Sequence, residues 1–303
     1  MSLSGSICAI ATPFRSRDDA IDATALCRLI DHLIDQGTSA IVLGGSTGEA
    51  AMLDEAEFDQ LLELGLRQVA GRVPTLAGTG LSGTRRTIVQ TQRARAAGVG
   101  HALVATPPYV RPTQEGLYRH YCEVAEHGGL PVMLYNVPSR TACDLLPETV
   151  ARLASHGNII GIKEAVSDPA RMQALLELQD GHFVVLSGDD GSAARAMRAG
   201  AAGVVSVAAN VDPARMARLA RACREDAAAA TRLEQELQPL FELLGCEPNP
   251  IPLKWCLAQL GHGEAHLRLP LTPLGPRHHA AAAGVLAGLG LVEAGAASGR
   301  LAG

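Results

Sequence analysis

Among 26 basic residues only two are lysines, Lys163 and Lys254; the other 24 are arginines. Lys163 closes the apolar run Ile159-Ile160-Gly161-Ile162-Lys163-Glu164, where an ammonium is costly to bury as a charge. Burial of such a group favours the neutral amine, and a neutral amine attacks carbonyl carbon. A plainer reading is that Lys163 ends an edge strand and extends its charge to water. Two other runs carry groups suited to an acid substrate. In Gly44-Gly45-Ser46-Thr47-Gly48-Glu49 two glycines allow close approach to the backbone, and Ser46 and Thr47 offer hydroxyls and N–H groups to a carboxylate. In Leu134-Tyr135-Asn136-Val137-Pro138-Ser139-Arg140-Thr141, one of only four tyrosines ends an apolar run, and Arg140 could hold a carboxylate in a bidentate grip. The plainer readings are an ordinary turn, a strand-end tyrosine and a solvated arginine.

These groups need a frame, and the hydrophobic pattern supplies one. Near-continuous apolar runs at 7–11, 40–43, 75–78, 101–105, 131–135, 159–163, 183–187 and 203–207 predict strands of a parallel sheet covered by helices. Helical patterns alternate with them at 23–36, 54–70, 84–97, 114–125, 147–155, 169–178, 192–199 and 213–224. Asp168-Pro169 and Asp212-Pro213 each place an N-cap before proline at the first helical position. Eight evenly spaced βα units predict a (β/α)8 TIM barrel rather than a doubly wound sheet. Both Tyr135 and Lys163 then end strands at the barrel's active mouth. Further helices at 226–244, 253–260 and 278–289 form a small C-terminal appendage. The expected division is residues 1–224 as the barrel carrying the site, 225–292 as a C-terminal helical domain, and 293–303 as a disordered tail.

Composition narrows the partners. The hydrophobic fraction is 47% with only 3% aromatic, so the core is aliphatic. Net charge is −5 and no basic stripe occurs, which argues against nucleic acid. No apolar run is long enough to span a membrane, and the N-terminal residues lack the pattern of a signal peptide. Seven scattered cysteines without a Cys-x-x-Cys pair fit reduced thiols and a cytoplasmic location. Gly78-Thr79-Gly80-Leu81-Ser82-Gly83 matches a dinucleotide fingerprint, but the next strand ends without the acidic residue that would hold a ribose. His262 and His266 are four apart, yet no third ligand accompanies them, so no metal is expected.

Taken together, the strand ends resemble the dihydrodipicolinate synthase and N-acetylneuraminate lyase superfamily, the pyruvate-dependent class I aldolase barrels. Five segments in order are most similar to its dihydrodipicolinate synthase branch: 111–118, 135–141, 160–165, Ser187-Gly188-Asp189-Asp190 and Glu247-Pro248-Asn249-Pro250-Ile251-Pro252. The resemblance implies a Schiff base between Lys163 and pyruvate, which serves as a covalent intermediate in place of any cofactor. It implies condensation with L-aspartate 4-semialdehyde to 4-hydroxy-tetrahydrodipicolinate, a step of lysine and diaminopimelate biosynthesis. By the same resemblance Tyr135 gives and takes protons, with Ser46 and Tyr109 completing the relay. Thr47 holds the pyruvate carboxylate, Arg140 holds the carboxylate of the semialdehyde, and Gly188 and Val205 line the cavity through their backbones. Tyr109 is expected to reach a neighbouring subunit's site, which makes a homodimer necessary and a homotetramer the expected assembly.

Two departures stand out. Synthases usually carry threonine where this chain has Ser46, and the Gly-Gly-Ser-Thr-Gly-Glu form is closer to the sugar-acid branches; Arg140 points back to the synthases. Family members inhibited by lysine hold it at positions matching Ala50, Ala51, Glu55, Phe58, Ser82, Arg86 and Pro108. Arg86 stands where a carboxylate should meet the lysine ammonium, and like charges repel. Weak or absent inhibition by lysine is therefore expected. The alternatives are an aldolase or dehydratase of a sugar acid, such as N-acetylneuraminate or a 2-keto-3-deoxy acid, and a catalytically silent binding protein.

Overall fold

The structure is a computed structural model, described over residues 3–293. Its eight strands are β1 (Gly5–Ala9), β2 (Ala40–Leu43), β3 (Thr75–Gly78), β4 (His101–Ala105), β5 (Val132–Asn136), β6 (Ile159–Glu164), β7 (Val184–Ser187) and β8 (Gly203–Ser206). All neighbours are parallel and lie in chain order, and β1 pairs with β8 to close the barrel. The helices between them are α1 (Ala23–Asp35), α2 (Glu55–Val69), α3 (Thr84–Ala97), α4 (Gln114–His127), α5 (Pro138–Thr141), α6 (Pro147–Ala154), α7 (Pro169–Leu176), α8 (Asp190–Arg198) and α9 (Pro213–Glu225). Three more follow: α10 (Ala227–Leu244), α11 (Ile251–Gln259) and α12 (His279–Gly288).

Helix starts follow local chemistry. Asp54 and Glu57 form a reciprocal capping box on α2. Asp168 and Asp212 cap α7 and α9, each with proline at the first turn. Helix α8 begins two residues before the predicted Ser192, because Asp189 accepts hydrogen bonds from both the N–H and the hydroxyl of Ser192. Strand β1 also lies earlier than expected. Gly5 and Ser6 pair with β8, whereas beyond Ala9 the chain leaves the ladder and the Ala11 N–H goes to Asn210 Oδ1.

Side chains alternate across each strand, and this produces two separate apolar clusters. Ile7, Val42, Leu76, Leu103, Met133, Leu186 and Val205 fill the barrel interior, with Tyr135 above them. Cys8, Ile41, Leu43, Ala77, Val104, Leu134, Ile162, Val185 and Val204 face outward into the helix layer. The same outer cluster includes Leu233, Leu237 and Leu240 of α10, Trp255 of α11 and Leu286 of α12. The C-terminal helices thus share the barrel's outer core, with α10 packed on α8 and α9. Among the described residues no helix is long and apolar enough to cross a membrane. From residue 294 onward, the expected disordered tail lies outside the described residues.

Candidate active site

Strand alternation sets which side of the sheet each chemical group meets. In β6, Ile162 and Glu164 face out, so Lys163 faces in; it is 5% exposed. Its register partner on β5 is Tyr135, also buried. Lys163 Nζ lies 4.1 Å from the centre of the Tyr135 ring. Next to it, Gly188 follows β7 and donates its N–H to Glu164 O at 2.7 Å. A Cβ on Gly188 would come within 3.0 Å of Lys163 Cγ and Cε, so only glycine leaves the lysine its full course.

A cavity of about 460 Å³ opens above this pair. Ser46, Thr47, Tyr135, Arg140 and Lys163 all line it. Ser46 and Thr47 sit in a single helical turn, Ser46–Gly48, too short to carry a sequence period. Arg140 is carried by α5, another turn too short to show periodicity, started by Pro138 and held by a 2.8 Å contact between the Thr106 and Thr141 hydroxyls. The cavity wall does not include Tyr109, Gly188 or Val205. Gly188 lies against the Lys163 stem, and Val205 is buried in the barrel interior beside its register partner Ile7. Tyr109 is 92% exposed, at φ 75°, in a left-handed conformation unusual for a side chain of its size.

Two groups in the site escaped sequence reasoning. Asn249 donates through Nδ2 to Thr47 Oγ1 at 3.0 Å, while its carbonyl accepts from Arg140 Nη2 at 2.9 Å. It ties together both expected carboxylate-binding residues, across 202 residues of chain from Thr47. The second is a clamp on the outer face of β5 and β6. Asn136 Nδ2 donates to both Glu164 oxygens, at 3.1 and 3.0 Å, and to Asp144. Arg171 pairs with Asp144 at 2.5 Å and approaches Glu164 at 3.5 Å. Burial raises the Glu164 carboxyl above the usual carboxylate range, even though Val166 N–H and Asn136 oppose the shift. Such a clamp fixes the register that sets Tyr135 beside Lys163.

The mouth is electropositive. Arg140 and Arg86 line it, and the one carboxylate on its wall, Glu49, is paired with Lys254 behind it. That balance suits anionic substrates. Of the seven positions expected to face an effector, Ala50, Ala51, Ser82, Arg86 and Pro108 line the cavity. Glu55 pairs instead with Arg93, and Phe58 is buried beneath Gly44. The decoys also find ordinary roles. A Cβ on Gly78 would stand 2.2 Å from Gly44 O, so the glycine-rich run serves close packing of the β2 and β3 loops. The His262 ring lies against that of His32, tilted by 35° with centres 4.6 Å apart, while His266 binds Asp19 at 2.7 Å.

Comparison with known proteins gives the chain's family. The Dihydrodipicolinate synthetase family matches residues 2–287. A 4-hydroxy-tetrahydrodipicolinate synthase of Stenotrophomonas maltophilia (strain R551-3) is 55% identical over 295 residues, 97% of this chain and 99% of the relative. One from Xanthomonas axonopodis pv. citri (strain 306) is 55% identical over 287 residues, 93% of each chain. Among solved structures, the chloride-inhibited dihydrodipicolinate synthase of Acinetobacter baumannii, complexed with pyruvate, superposes with a TM-score of 0.94. It is 41% identical, and the match covers 96% of this chain and all of that one. The chain belongs to the dihydrodipicolinate synthetase family.

Proposed function

We propose that this chain is a Schiff-base lyase that joins pyruvate to L-aspartate 4-semialdehyde, giving 4-hydroxy-tetrahydrodipicolinate. The observation that carries the reading is the gathering of Lys163, Tyr135, Thr47 and Arg140 in one cavity. Relatives 53–55% identical over more than nine-tenths of the chain bear the corresponding name, which favours this reading over a sugar-acid aldolase.

Lys163 Nζ attacks the keto carbon of pyruvate and water leaves, giving an iminium. The iminium draws electrons from the methyl carbon, a proton departs, and an enamine remains. Its carbon attacks the aldehyde carbon, forming the C–C bond while the aldehyde oxygen takes a proton. The amine of the second substrate then displaces Lys163, closing the ring and freeing the enzyme. One water is lost over the cycle. No cofactor is required, because the iminium is itself the electron sink. Tyr135, with its ring against Lys163, is the residue to shuttle these protons, and a positioned acid–base group typically contributes about 10²–10⁴-fold. Thr47 with the N–H groups of its turn receives the keto acid's carboxylate, and Arg140 receives that of the semialdehyde. Ser46 is the cavity hydroxyl available to extend the relay.

Tyr109 completes the relay from a second copy of the chain. Its exposure and strained backbone support an interface there, since an ordered aromatic ring held at positive φ gains from being covered. Val110 beside it is also half exposed. A homodimer is therefore the smallest competent unit, and a tetramer is the expected assembly.

A coupled assay separates the readings. Purified protein given pyruvate and aspartate semialdehyde should turn over, whereas N-acetylneuraminate and 2-keto-3-deoxy acids should be cleaved far more slowly. Preference for a sugar acid, or no turnover of any of them, contradicts the proposal.

A further inference from the structure

The second lysine sits behind the turn that carries Ser46 and Thr47. Lys254, on α11, is 2% exposed, and its Nζ lies 2.5 Å from Glu49 Oε1, an ion pair not aligned as a hydrogen bond. Glu49 is itself buried, at φ 56° and ψ 35°, a left-handed conformation that a non-glycine residue holds only when its surroundings impose it. It ends the turn Ser46–Gly48 directly. Its Oε2 accepts from the Arg268 N–H at 3.1 Å, and the Arg268 guanidinium reaches Met52 O and Glu57. Lys254 also donates to His266 O at 2.9 Å and lies 4.2 Å from the centre of the Phe14 ring. Asn249, just ahead of α11, grips the same turn through Thr47 Oγ1. One C-terminal segment thus holds the turn at its middle, through Thr47, and at its end, through Glu49.

We propose that Lys254 and Glu49 are positioning residues: their ion pair sets the turn that presents Thr47 and Ser46, and so sets affinity for the keto acid although neither residue takes part in the chemistry. The inference rests on the reading that this turn receives the pyruvate carboxylate. An ion pair buried this deeply is seldom a net gain in stability over a well-packed apolar pair, so its placement under a strained turn asks for another role. Burial pushes the Lys254 ammonium down to about 8 despite Glu49, so desolvation outweighs the pairing.

The test is steady-state kinetics with both substrates on Lys254→Met, Glu49→Gln and the double variant Glu49→Gln/Lys254→Met, each with a melting curve. A hydrogen bond to a charged group is worth about 1.5–3 kcal/mol, so a turn that no longer meets the carboxylate should raise the pyruvate KM of each single variant by about 10- to 100-fold. The semialdehyde KM should change by no more than about threefold, and kcat at saturating pyruvate should fall by less than the pyruvate KM rises, since Ser46 on the same turn only extends the relay. The double variant should regain thermal stability, because no buried charge is left unpaired, while its pyruvate KM stays raised. Folded single variants with a wild-type pyruvate KM overturn the proposal, as does a double variant normal in both respects. Should the single variants not fold, Glu49→Asp, which keeps both charges but shortens the reach, must show the same selective rise. Failure of the underlying reading looks different: the wild-type protein itself would form no pyruvyl adduct at Lys163.

Discussion

Both lysines of this chain are buried, and their surroundings are opposite. Lys254 is locked: a carboxylate at 2.5 Å, a carbonyl at 2.9 Å and the Phe14 ring fix its nitrogen. Lys163 has the Tyr135 ring beside it and, among the described residues, takes part in no ion pair. A carboxylate partner would hold an amine charged and anchored, whereas a nucleophile must lose its proton and reach a carbon atom. On the proposed reading the same residue type serves two uses, set by what the fold puts around it: covalent chemistry in the barrel, positioning behind it.

Variants can break or sharpen that contrast. The largest effect belongs to Lys163→Ala, which should lower turnover to background and abolish any pyruvyl adduct while the protein stays folded. Next comes Tyr135→Phe. It keeps the ring against Lys163 but removes the hydroxyl, so kcat should fall by about 10²–10⁴-fold, with the adduct still forming on Lys163. Arg140→Ala should leave pyruvate trapping intact. A hydrogen bond to a charged group is worth about 1.5–3 kcal/mol, so the semialdehyde KM should rise by roughly 10- to 100-fold.

A third buried base extends the comparison. His120 has Thr84 Oγ1 at 3.0 Å from one ring nitrogen, and its other is buried without a partner. Desolvation lowers its pKa from 6.5 to about 4, so the folded protein keeps it neutral. The unfolded chain binds the extra proton between those values, and stability should therefore fall as pH drops from 6.5 to 4. Melting curves across that range should be flatter for His120→Gln. The smallest expected effect is that of free lysine: with Arg86 on the cavity wall, sub-millimolar lysine should leave the rate unchanged. Strong inhibition would show that Arg86 turns away from the effector.

Much of the frame was legible because it rests on periodicity. The strands Ala40–Leu43, Thr75–Gly78 and His101–Ala105 match the apolar runs residue for residue, whereas a run apolar on both faces gives no alternation from which to read that Lys163 turns inward. The turns at Ser46–Gly48 and Pro138–Thr141 were hidden, since a single turn has no period to read. Asn249 and the Glu49–Lys254 pair were hidden for another reason. Their contacts join parts of the chain some 200 residues apart, and no local signal marks a glutamate in a glycine-rich loop as the partner of a lysine in a late helix. The roles of Tyr135 and Tyr109, and which substrate's carboxylate Arg140 holds, came from resemblance rather than from pattern.

The most direct test of the contrast between the two lysines is chemical trapping. Incubation with pyruvate, reduction with borohydride and peptide mass mapping should find one pyruvyl group per chain, on Lys163, with Lys254 unmodified. An adduct on Lys254, or none at all, would contradict the account.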